Sequence, residues 1–207
     1  MKRPKTSRAW WLDRHVHDPY VKLAQKEGYR SRAAYKLIWL DEKDHLLKPG
    51  MTVVDLGAAP GGWCQVASKK LGPRGTVIGI DLLPVAPIAG VTLFQADFTS
   101  AEGLALVEAA LAGRKADLVL SDMAPNLSGV KDADQAKHYG LAELALDFAV
   151  QWLKPDGAFV AKVFQGAGFE AFVRQARQVF RVVHVRKPEA SRDESRENFL
   201  VGKGLKV

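Results

Sequence analysis

The sequence predicts an α/β protein with a doubly wound, mostly parallel, seven-stranded sheet that is preceded by N-terminal helices. Short segments rich in Val, Ile and Leu alternate with longer segments of helical periodicity, and Gly and Pro residues separate the two kinds of segment. This alternation is typical of βαβ units, whose parallel strands are covered by helices on both faces. With 47% hydrophobic residues among 207, the chain can bury the core of one compact domain.

Two helices are predicted before the sheet. The first covers about Pro19–Glu27 and ends at Gly28, and the second begins after Ser31, a good N-cap residue, and continues to about His45. The elements predicted next are, in chain order, strand Thr52–Leu56, helix Gly62–Leu71, strand Thr76–Asp81, strand Val91–Gln95, helix Ala101–Leu111, strand Asp117–Ser121, helix Asp134–Leu153, strand Ala158–Val163, helix Phe169–Val179, and strands near Val182–Val185 and Phe199–Val201. A polar stretch without a convincing helix joins the last two strands, so the final strand should pair antiparallel at one side of the sheet.

Composition limits the compartment and the chemistry. The basic N-terminal stretch holds no apolar run long enough for a secretory signal, and no later segment is apolar for long enough to span a membrane. Cys64 is the single cysteine, so an intramolecular disulfide is excluded and a zinc site is not expected. We expect a soluble, cytoplasmic protein without a metal site.

Positive charge is concentrated at the two ends of the chain. Residues 1–36 hold ten Lys or Arg against three acidic residues, and residues 174–207 hold nine against four. Such ends can be an ordinary solvated surface, but four aromatic residues, Trp10, Trp11, Tyr20 and Tyr29, stand among the N-terminal basic residues. Basic side chains beside aromatic rings offer phosphate contacts next to stacking surfaces, which favours a polyanionic partner. The basic residues concerned are Arg8, Arg14, Lys22, Lys26, Arg30 and Arg32.

A glycine-rich turn follows the first predicted strand. Residues 55–62 read DLGAAPGG, in which an acid ends the strand and the turn opens a helix. Glycines at 57, 61 and 62 allow a ligand to approach the backbone closely, although a plain tight turn would have the same composition. The turn alone is therefore weak evidence for a nucleotide-type site.

Carboxylates also end the next three strands. Asp81 follows Gly62 by 19 residues, a spacing at which an acid can bind both ribose hydroxyls of an adenosine. Asp97 follows the third strand, where it could accept a hydrogen bond from an adenine amine, and Asp122 follows the fourth. In an open parallel sheet, ligands bind outside these strand ends, at the point where the winding reverses.

The turn fits S-adenosylmethionine better than a dinucleotide. The GxGxxG spacing of an NAD site is reproduced imperfectly by Gly57, Ala59 and Gly62, and Pro60 stands inside the turn. Asp55 suits a loop near the amino-acid part of S-adenosylmethionine, which has no pyrophosphate for a helix N-terminus to hold. Composition alone leaves this choice open.

If the reaction is methyl transfer, the residues after the fourth strand indicate the kind of nucleophile. Methylation of cytosine C5 would need a nucleophilic cysteine there, and Cys64 lies in the cofactor turn instead. Methylation of a base amine would favour an aromatic residue at the position of Asn126. An oxygen nucleophile remains. Lys162, a charged residue among apolar neighbours near the end of the fifth strand, is either an exposed edge residue or a catalytic group.

Several longer segments occur together in a characteristic order. They read SRAWW, DPYVKLAQKEGYRSRAAYKL, KPGMTVVDLGAAPGGW, DLLP, DFT, SDMAPN, FVAKVFQG and SRDESRENFLV. With them the chain resembles the FtsJ/RrmJ family of ribose 2′-O-methyltransferases over nearly its whole length. It is most similar to the bacterial members that methylate a uridine in large-subunit (23S) ribosomal RNA.

The resemblance implies the roles of particular residues. The family's catalytic Lys-Asp-Lys-Glu tetrad matches Lys36, Asp122, Lys162 and Glu197. The cofactor contacts implied by the matching motif and by the turn are Asp55, Gly57, Pro60, Gly61, Gly62, Trp63, Asp81, Asp97 and Asp122. Arg192 and Arg196, near the mouth of the site, would join the N-terminal basic residues in holding RNA phosphates.

The resemblance also implies a domain organisation and a function. Residues 1–48 would be a basic helical segment packed on a Rossmann-like methyltransferase domain of residues 49–207. The chain is expected to act as a monomer on the large (50S) ribosomal subunit during ribosome biogenesis. There are two alternatives. The chain could be a 2′-O-methyltransferase that acts on tRNA or on an mRNA cap, or it could be an RNA-binding ribosome assembly factor without catalytic activity.

Two mechanisms remain open for Lys162. In the first, which we take as the working hypothesis, a neutral Lys162 is the general base. In the second, a cationic Lys162 orients the ribose oxygen and stabilises its developing negative charge, and the proton leaves to water or to a carboxylate.

Overall fold

A computed structural model describes residues 18–125, 128–192 and 195–206. The helices of these residues are α1 Pro19–Glu27, α2 Ala34–Asp44, α3 Gly62–Leu71, α4 Ala101–Leu111, α5 Lys131–Trp152 and α6 Phe169–Val179. The strands are β1 Thr52–Leu56, β2 Thr76–Asp81, β3 Val91–Gln95, β4 Ala116–Ser121, β5 Leu153–Phe164, β6 Phe180–Arg186 and β7 Glu197–Leu205.

The strands form one seven-stranded sheet in the order β3-β2-β1-β4-β5-β7-β6. All pairs from β3 to β5 are parallel, and the winding reverses between β1 and β4. The predicted doubly wound fold is therefore confirmed. β7 pairs antiparallel as predicted, but it lies between β5 and β6, so β6 is the edge strand.

The central strands are buried on both faces, which is why their sequences read as continuous apolar runs. All five residues of β1 are buried. Val54 and Leu56 belong to one hydrophobic core, which also contains residues of α5 and α6, whereas Val53 belongs to a second core with α2 and α3. Successive residues of a strand point to opposite faces of the sheet, which is why Val53 and Val54 belong to different cores. Asp55 therefore lies on the same face as Val53, the face against which α2 packs.

The N-terminal helices begin and end through different signals. Asp18 is the N-cap of α1, and its carboxylate accepts a hydrogen bond from the Tyr20 backbone N–H at 3.0 Å. Gly28 ends this helix in a left-handed conformation with φ 75°. Ser31, in contrast, is not the N-cap of α2. The helix begins at Ala34 after a backbone turn, and the Ser31 hydroxyl lies against the start of α3, where a Cβ at Gly62 would be 2.8 Å from it.

The last two strands are longer than predicted. β7 begins at Glu197 and β6 begins at Phe180, directly after α6. The polar ends of these strands carry little apolar signal, but their backbone groups pair with β5 or with each other. This pairing places Glu197 in a strand, opposite Phe164 of β5, instead of in a loop.

A buried carboxylate joins α2 to the edge of the sheet. Asp44, the last residue of α2, is 3% exposed and accepts hydrogen bonds from Arg186 of β6 at 2.9 Å through both of its oxygens. Nδ1 of His184 lies 3.1 Å from the same carboxylate. Burial alone would raise the pKa of Asp44, but the hydrogen bonds from Arg186 and His184 outweigh burial and lower it below its usual value.

Replacing this carboxylate should weaken the fold. We expect Asp44→Ala to lower the free energy of unfolding by about 3 kcal/mol, because Arg186 then loses a buried partner. The folded-state pKa of Asp44 is depressed, so its stabilising contribution is complete above the unfolded value of about 3.9 and is lost as the pH falls through the folded value. Urea unfolding at pH 7 and near pH 3 measures both effects.

The matched control is Asp156→Ala, which removes a carboxylate that is 91% exposed and pairs with Arg181 at 3.0 Å. That variant should lose less than about 1 kcal/mol. Equal losses in the two variants, or a loss in Asp44→Ala that persists unchanged in acid, would contradict the assignment.

Candidate active site

A pocket opens at the carboxyl ends of β1, β2 and β4, where the winding of the sheet reverses. It is lined by Gly57 after β1, Asp81 at the end of β2, Asp97 after β3, and Asp122 and Met123 after β4. Backbone hydrogen bonds hold these ends together, since Gly57 donates to Ile80 O at 2.9 Å and Asp122 donates to Leu56 O at 3.1 Å. The structure thus brings four of the predicted cofactor residues into one pocket.

Gly57 is required at the first position of the turn. Its φ is 83°, in the left-handed region that favours glycine. A Cβ at this position would also lie 2.9 Å from the Met123 backbone nitrogen. The loop after β4 therefore packs directly on the glycine-rich turn.

Asp81 organises two loops around the pocket. Its Oδ2 accepts a hydrogen bond from the Ala59 N–H at 2.9 Å, and its Oδ1 accepts one from the Leu83 N–H at 2.8 Å. Each carboxylate oxygen has a further lone pair for a ligand hydroxyl. This acid therefore fixes the turn and still offers acceptors to the pocket.

Asp97 is fixed by a residue that the sequence analysis did not single out. Thr99 donates to Oδ1 of Asp97 from its hydroxyl at 2.7 Å and from its backbone N–H at 2.8 Å. These two hydrogen bonds lower the pKa of Asp97 below its usual value. The carboxylate is thus held ionised and oriented, with Oδ2 available to a ligand amine.

Asp55 lies beneath the turn and is 1% exposed. Its pKa is raised to about 7, mainly by burial and also by the nearby Asp122 and Asp81, whereas the hydrogen bond from the Cys64 Sγ–H at 3.2 Å opposes this shift. Oδ1 of Asp55 has no hydrogen-bond partner among the described residues. Cys64 is itself buried, in keeping with a structural role.

The other predicted cofactor residues do not line the pocket. Pro60, Gly61 and Gly62 continue the turn into α3 behind it. Trp63 is 3% exposed, donates from Nε1 to Ala33 O at 2.8 Å, and packs on Phe199 of β7. In this structure Trp63 therefore joins α3 to α2 and β7, and its predicted cofactor contact stays a prediction.

Arg30 has contacts that its sequence position did not indicate. Its guanidinium donates to the carbonyl oxygens of Ala86 at 2.6 Å, Pro87 at 2.8 Å and Pro60 at 3.3 Å. A Cβ at Gly61 would lie 2.9 Å from the Arg30 Nη1, so the glycine makes room for the guanidinium. Arg30 thus ties the segment between α1 and α2 to the glycine-rich turn, and its predicted contact with RNA stays a prediction.

The pocket residues fit the adenosyl part of S-adenosylmethionine. Two carboxylates that line the pocket, Asp81 and Asp97, are acceptors of the kind that ribose hydroxyls and an adenine amine need. One further carboxylate oxygen, Oδ1 of Asp55, is buried without a hydrogen-bond partner among the described residues. Acidic surroundings of this kind also favour the positive charge of a sulfonium.

Lys162 and Asp122 form the first pair of the predicted tetrad. Nζ of Lys162 donates to the Asp122 carbonyl oxygen at 2.7 Å and lies 3.1 Å from Oδ1 of the same residue. Lys162 is 9% exposed, so these oxygens are the partners that its buried nitrogen requires. Because Asp122 also lines the cofactor pocket, it joins that pocket to Lys162.

Lys36 and Glu197 form the second pair. Nζ of Lys36 lies 2.6 Å from Oε1 of Glu197, and the two side chains are 13% and 12% exposed. Ser191, which the sequence analysis did not assign, donates from its hydroxyl to the same Oε1 at 2.9 Å. The carboxylate of Glu197 is therefore held by an ammonium group and a hydroxyl.

Phe199 lies between the two pairs. It is directly opposite Lys162 in the β5–β7 register, and Nζ of Lys36 is 5.6 Å from the centre of its ring. Residues directly opposite each other in an antiparallel pair share a face of the sheet. Phe199 is thus the neighbour of Lys162 across the two strands and of Lys36 through its ring, so the two pairs lie on neighbouring strand positions.

Basic residues surround the second pair. A hollow of about 220 Å³ is lined by Arg32, Lys36, Arg192, Ser195 and Glu197. Arg32 and Arg192 both approach Asp18 at the start of α1, the latter at 3.9 Å.

The other basic residues that were predicted to contact RNA do not line this hollow. Lys22 and Lys26 are exposed one helical turn apart on α1, and Arg196 is exposed after the polar loop. Arg8 and Arg14 lie outside the described residues. These contacts stay predictions.

Residues 18–125, 128–192 and 195–206 contain neither a cluster of metal ligands nor a membrane-spanning helix. No group of three or more His, Cys, Asp or Glu side chains within these ranges is placed to hold a metal ion. Among the same residues, none of the helices has the length and apolar character needed to cross a bilayer.

Comparison with known proteins decides the family. The model of the FtsJ-like methyltransferases matches residues 29–205, which include the glycine-rich turn and all four tetrad positions. The chain belongs to this family. The predicted enzyme class, methyltransferase, and the predicted methyl donor, S-adenosylmethionine, are thereby confirmed.

The family assignment agrees with individual relatives. The ribosomal RNA large subunit methyltransferase E of Thiobacillus denitrificans is 61% identical over 98% of this chain and 91% of its own length. The protein of the same name from Pseudomonas aeruginosa is 53% identical over 100% of this chain and 99% of its own length.

Solved structures show the same fold. A structure described as a ribosomal RNA methyltransferase from Plasmodium falciparum superposes with a TM-score of 0.76, at 31% identity over 86% of this chain and 98% of the other. A Streptococcus mutans methyltransferase that was crystallised with S-adenosylhomocysteine is 10% identical over 84% of this chain and 96% of the other, with a TM-score of 0.51. The second likeness concerns the fold alone.

Asp81 should be needed for cofactor affinity. We expect Asp81→Ala to weaken binding of S-adenosylmethionine at least tenfold, because it removes charged acceptors for the ribose hydroxyls. Isothermal titration calorimetry measures the affinity, and the control Asp156→Ala removes an exposed carboxylate that lies outside the pocket. Unchanged affinity in Asp81→Ala would contradict the predicted cofactor contact.

Proposed function

We propose that this chain transfers the methyl group of S-adenosylmethionine to the 2′-hydroxyl of a uridine in the 23S RNA of the large ribosomal subunit. It acts as a monomer, in the cytoplasm. The observation that carries the proposal is the position of Asp122, which lines the cofactor pocket and also binds Lys162. The names of the relatives, which specify large-subunit ribosomal RNA, support the substrate.

The protein's task is to place the ribose oxygen and manage its proton, because the cofactor supplies an activated methyl group on a sulfonium. Lys162 is held at the carboxyl end of β5, two residues before the strand ends. Its nitrogen donates one hydrogen bond, to the Asp122 carbonyl oxygen, and forms an ion pair with the Asp122 carboxylate. An ammonium group has three N–H donors, so a donor remains for the substrate oxygen.

The surroundings of Lys162 favour the second of the two mechanisms. A carbonyl oxygen and a carboxylate oxygen within 3.1 Å stabilise a positive charge on Nζ. A cationic Lys162 orients the 2′-oxygen and stabilises the negative charge that develops on it as the oxygen attacks the methyl carbon. The hydroxyl proton leaves to water or to a carboxylate of the site.

Lys36 and Glu197 act as a positioning pair in this scheme. Their mutual contact at 2.6 Å fixes both side chains beside Phe199, next to the strand position of Lys162. The basic hollow around them suits the phosphates on either side of the target nucleotide. Their removal should therefore reduce catalysis less than removal of Lys162.

Lys162→Ala should abolish most methyl transfer while the protein still binds its cofactor. We expect the rate to fall at least about 100-fold, the usual contribution of a residue that manages a proton or a developing charge. Lys36→Ala and Glu197→Gln should lose less. Single-turnover methyl transfer measures the rate, and calorimetry with S-adenosylmethionine measures binding.

The control is Lys154→Ala on the same strand, where an exposed lysine pairs with Asp117 at 2.7 Å. That variant should keep the full rate. Lys162→Arg separates the mechanisms, since arginine keeps the charge but cannot accept a proton. Activity of Lys162→Ala near that of the unmodified protein would refute the catalytic assignment.

The test of the substrate uses large ribosomal subunits from cells that lack this protein. We expect labelled methyl from S-adenosylmethionine to appear as one 2′-O-methyluridine after nuclease mapping, and naked 23S RNA to accept it poorly. Label in transfer RNA and none in the subunit would favour the tRNA alternative. No transfer to any RNA would favour a binding protein without catalysis, and either result would overturn the proposal.

A further inference from the structure

A second cavity, of about 390 Å³, opens beside the tetrad, and the predicted roles do not use it. Ala124 lines both this cavity and the cofactor pocket, so the two spaces are neighbours. It is lined by Ala124, Pro125, Asp134, Gln135, His138, Phe164, Gln165 and Arg196. The carboxylate of Asp134 is held by hydrogen bonds from Ser128 and from the Gly129 N–H. Its volume is in the range of small-molecule sites.

The chain segments that carry the tetrad also build the walls of this cavity. Ala124 follows Asp122 by two residues, and Phe164 follows Lys162 by two residues on β5. Arg196 directly precedes Glu197, which pairs with Phe164 in the β5–β7 register. A ribose whose 2′-oxygen approaches Lys162 carries its base on one adjacent carbon atom and its 3′-oxygen on the other. The base of that same nucleotide is therefore close enough to reach the cavity.

The floor of the cavity suits a flat, uncharged group. His138 is 3% exposed, and its ring centre is 4.6 Å from that of Phe164 at an interplanar angle of 64°. Burial and the charge of Lys162 together lower the pKa of His138 to about 4, although a backbone hydrogen bond at Lys162 opposes them, so the imidazole is neutral. A floor of this kind favours a nucleobase over a phosphate.

The rim of the cavity offers hydrogen bonds. Gln135 is half-buried, and its side-chain amide makes no hydrogen bond within residues 18–125, 128–192 and 195–206. The exposed guanidinium of Arg196 makes no ion pair within the same ranges. Gln135 provides both a donor and an acceptor, whereas Arg196 provides donors only. Together they complement an N–H flanked by two carbonyl oxygens, which is the pairing edge of uracil.

We propose that this cavity holds the base of the target nucleotide and that it selects uracil. Phe164 provides the contact surface, and Gln135 and Arg196 bind the pairing edge. This assignment rests on the proposed function, since it takes a ribose 2′-hydroxyl as the methyl acceptor. It makes Phe164 and Gln135 specificity-determining residues that the tetrad does not include.

The experiment measures preference between bases at one position. Large subunits are prepared from cells that lack this protein and whose ribosomal RNA carries uridine, cytidine or adenosine at the mapped site. The value of kcat/KM is measured on each substrate for the unmodified protein, Phe164→Ala, Gln135→Ala and the control Gln151→Ala. Gln151 is exposed on the same helix as Gln135 and does not line the cavity. Calorimetry with S-adenosylmethionine shows that each variant is folded.

The unmodified protein and Gln151→Ala should prefer uridine to cytidine by about tenfold and to adenosine by about 100-fold. Phe164→Ala enlarges the cavity, so it should reduce the preference over adenosine at least tenfold. Gln135→Ala should reduce the preference over cytidine several-fold and leave the preference over adenosine nearly unchanged. A purely structural defect lowers kcat/KM on all three substrates alike and leaves these ratios constant.

Two unfavourable results are distinguishable. If the unmodified protein methylates the mapped uridine but neither variant changes any ratio, the cavity is not the base site and the proposed function stands. Equal rates of the unmodified protein on uridine and adenosine lead to the same conclusion. If the unmodified protein methylates no uridine in the subunit, the proposed function fails and this assignment fails with it.

Discussion

A buried ammonium group on a central strand must have oxygen partners, and this requirement governs the catalytic edge of the sheet. Lys162 is 9% exposed, and its nitrogen is held by the backbone carbonyl and the carboxylate of Asp122. Asp122 can reach it because β4 and β5 are parallel neighbours whose carboxyl ends meet at one edge. The loop after β4 is in turn packed on Gly57 of the glycine-rich turn. The candidate cofactor pocket and Lys162 are therefore parts of one packed unit.

The N-terminal helices belong to this unit as well. α2 carries Lys36 to Glu197 at one point, and its last residue, Asp44, binds Arg186 of the edge strand at another. The segment before α2 reaches the cofactor turn through the guanidinium of Arg30. The segment that carries the proposed RNA contacts is thus joined to the glycine-rich turn by short-range hydrogen bonds.

Periodicity predicted the order of the strands and helices, and strand-end carboxylates predicted the pocket, because both depend on local sequence. Lys36 and Glu197 were placed by resemblance to a family, since neither differs locally from a solvated lysine or a loop acid. Contacts that depend on which side chains meet in space were not predictable. Trp63 faces α2 and β7, Ser31 packs on α3 without capping α2, and His138 reads locally as an ordinary helical residue. The length of β7 was also missed, because its polar ends are stabilised by pairing with β5 and β6.

The position of β7 has a consequence for biosynthesis. It is the last strand of the described chain, yet it is inserted between β5 and β6, which precede it in the sequence. Until it is available, β5 and β6 have no common partner, Lys162 has no neighbour on that side, and Glu197 is not in the site. Glu197 also pairs with Lys36 of α2, far earlier in the chain. Folds with many contacts between residues so distant in sequence form slowly. A nascent chain can thus complete its cofactor turn while its catalytic edge is still open, so catalysis begins only when the final strand has closed the sheet.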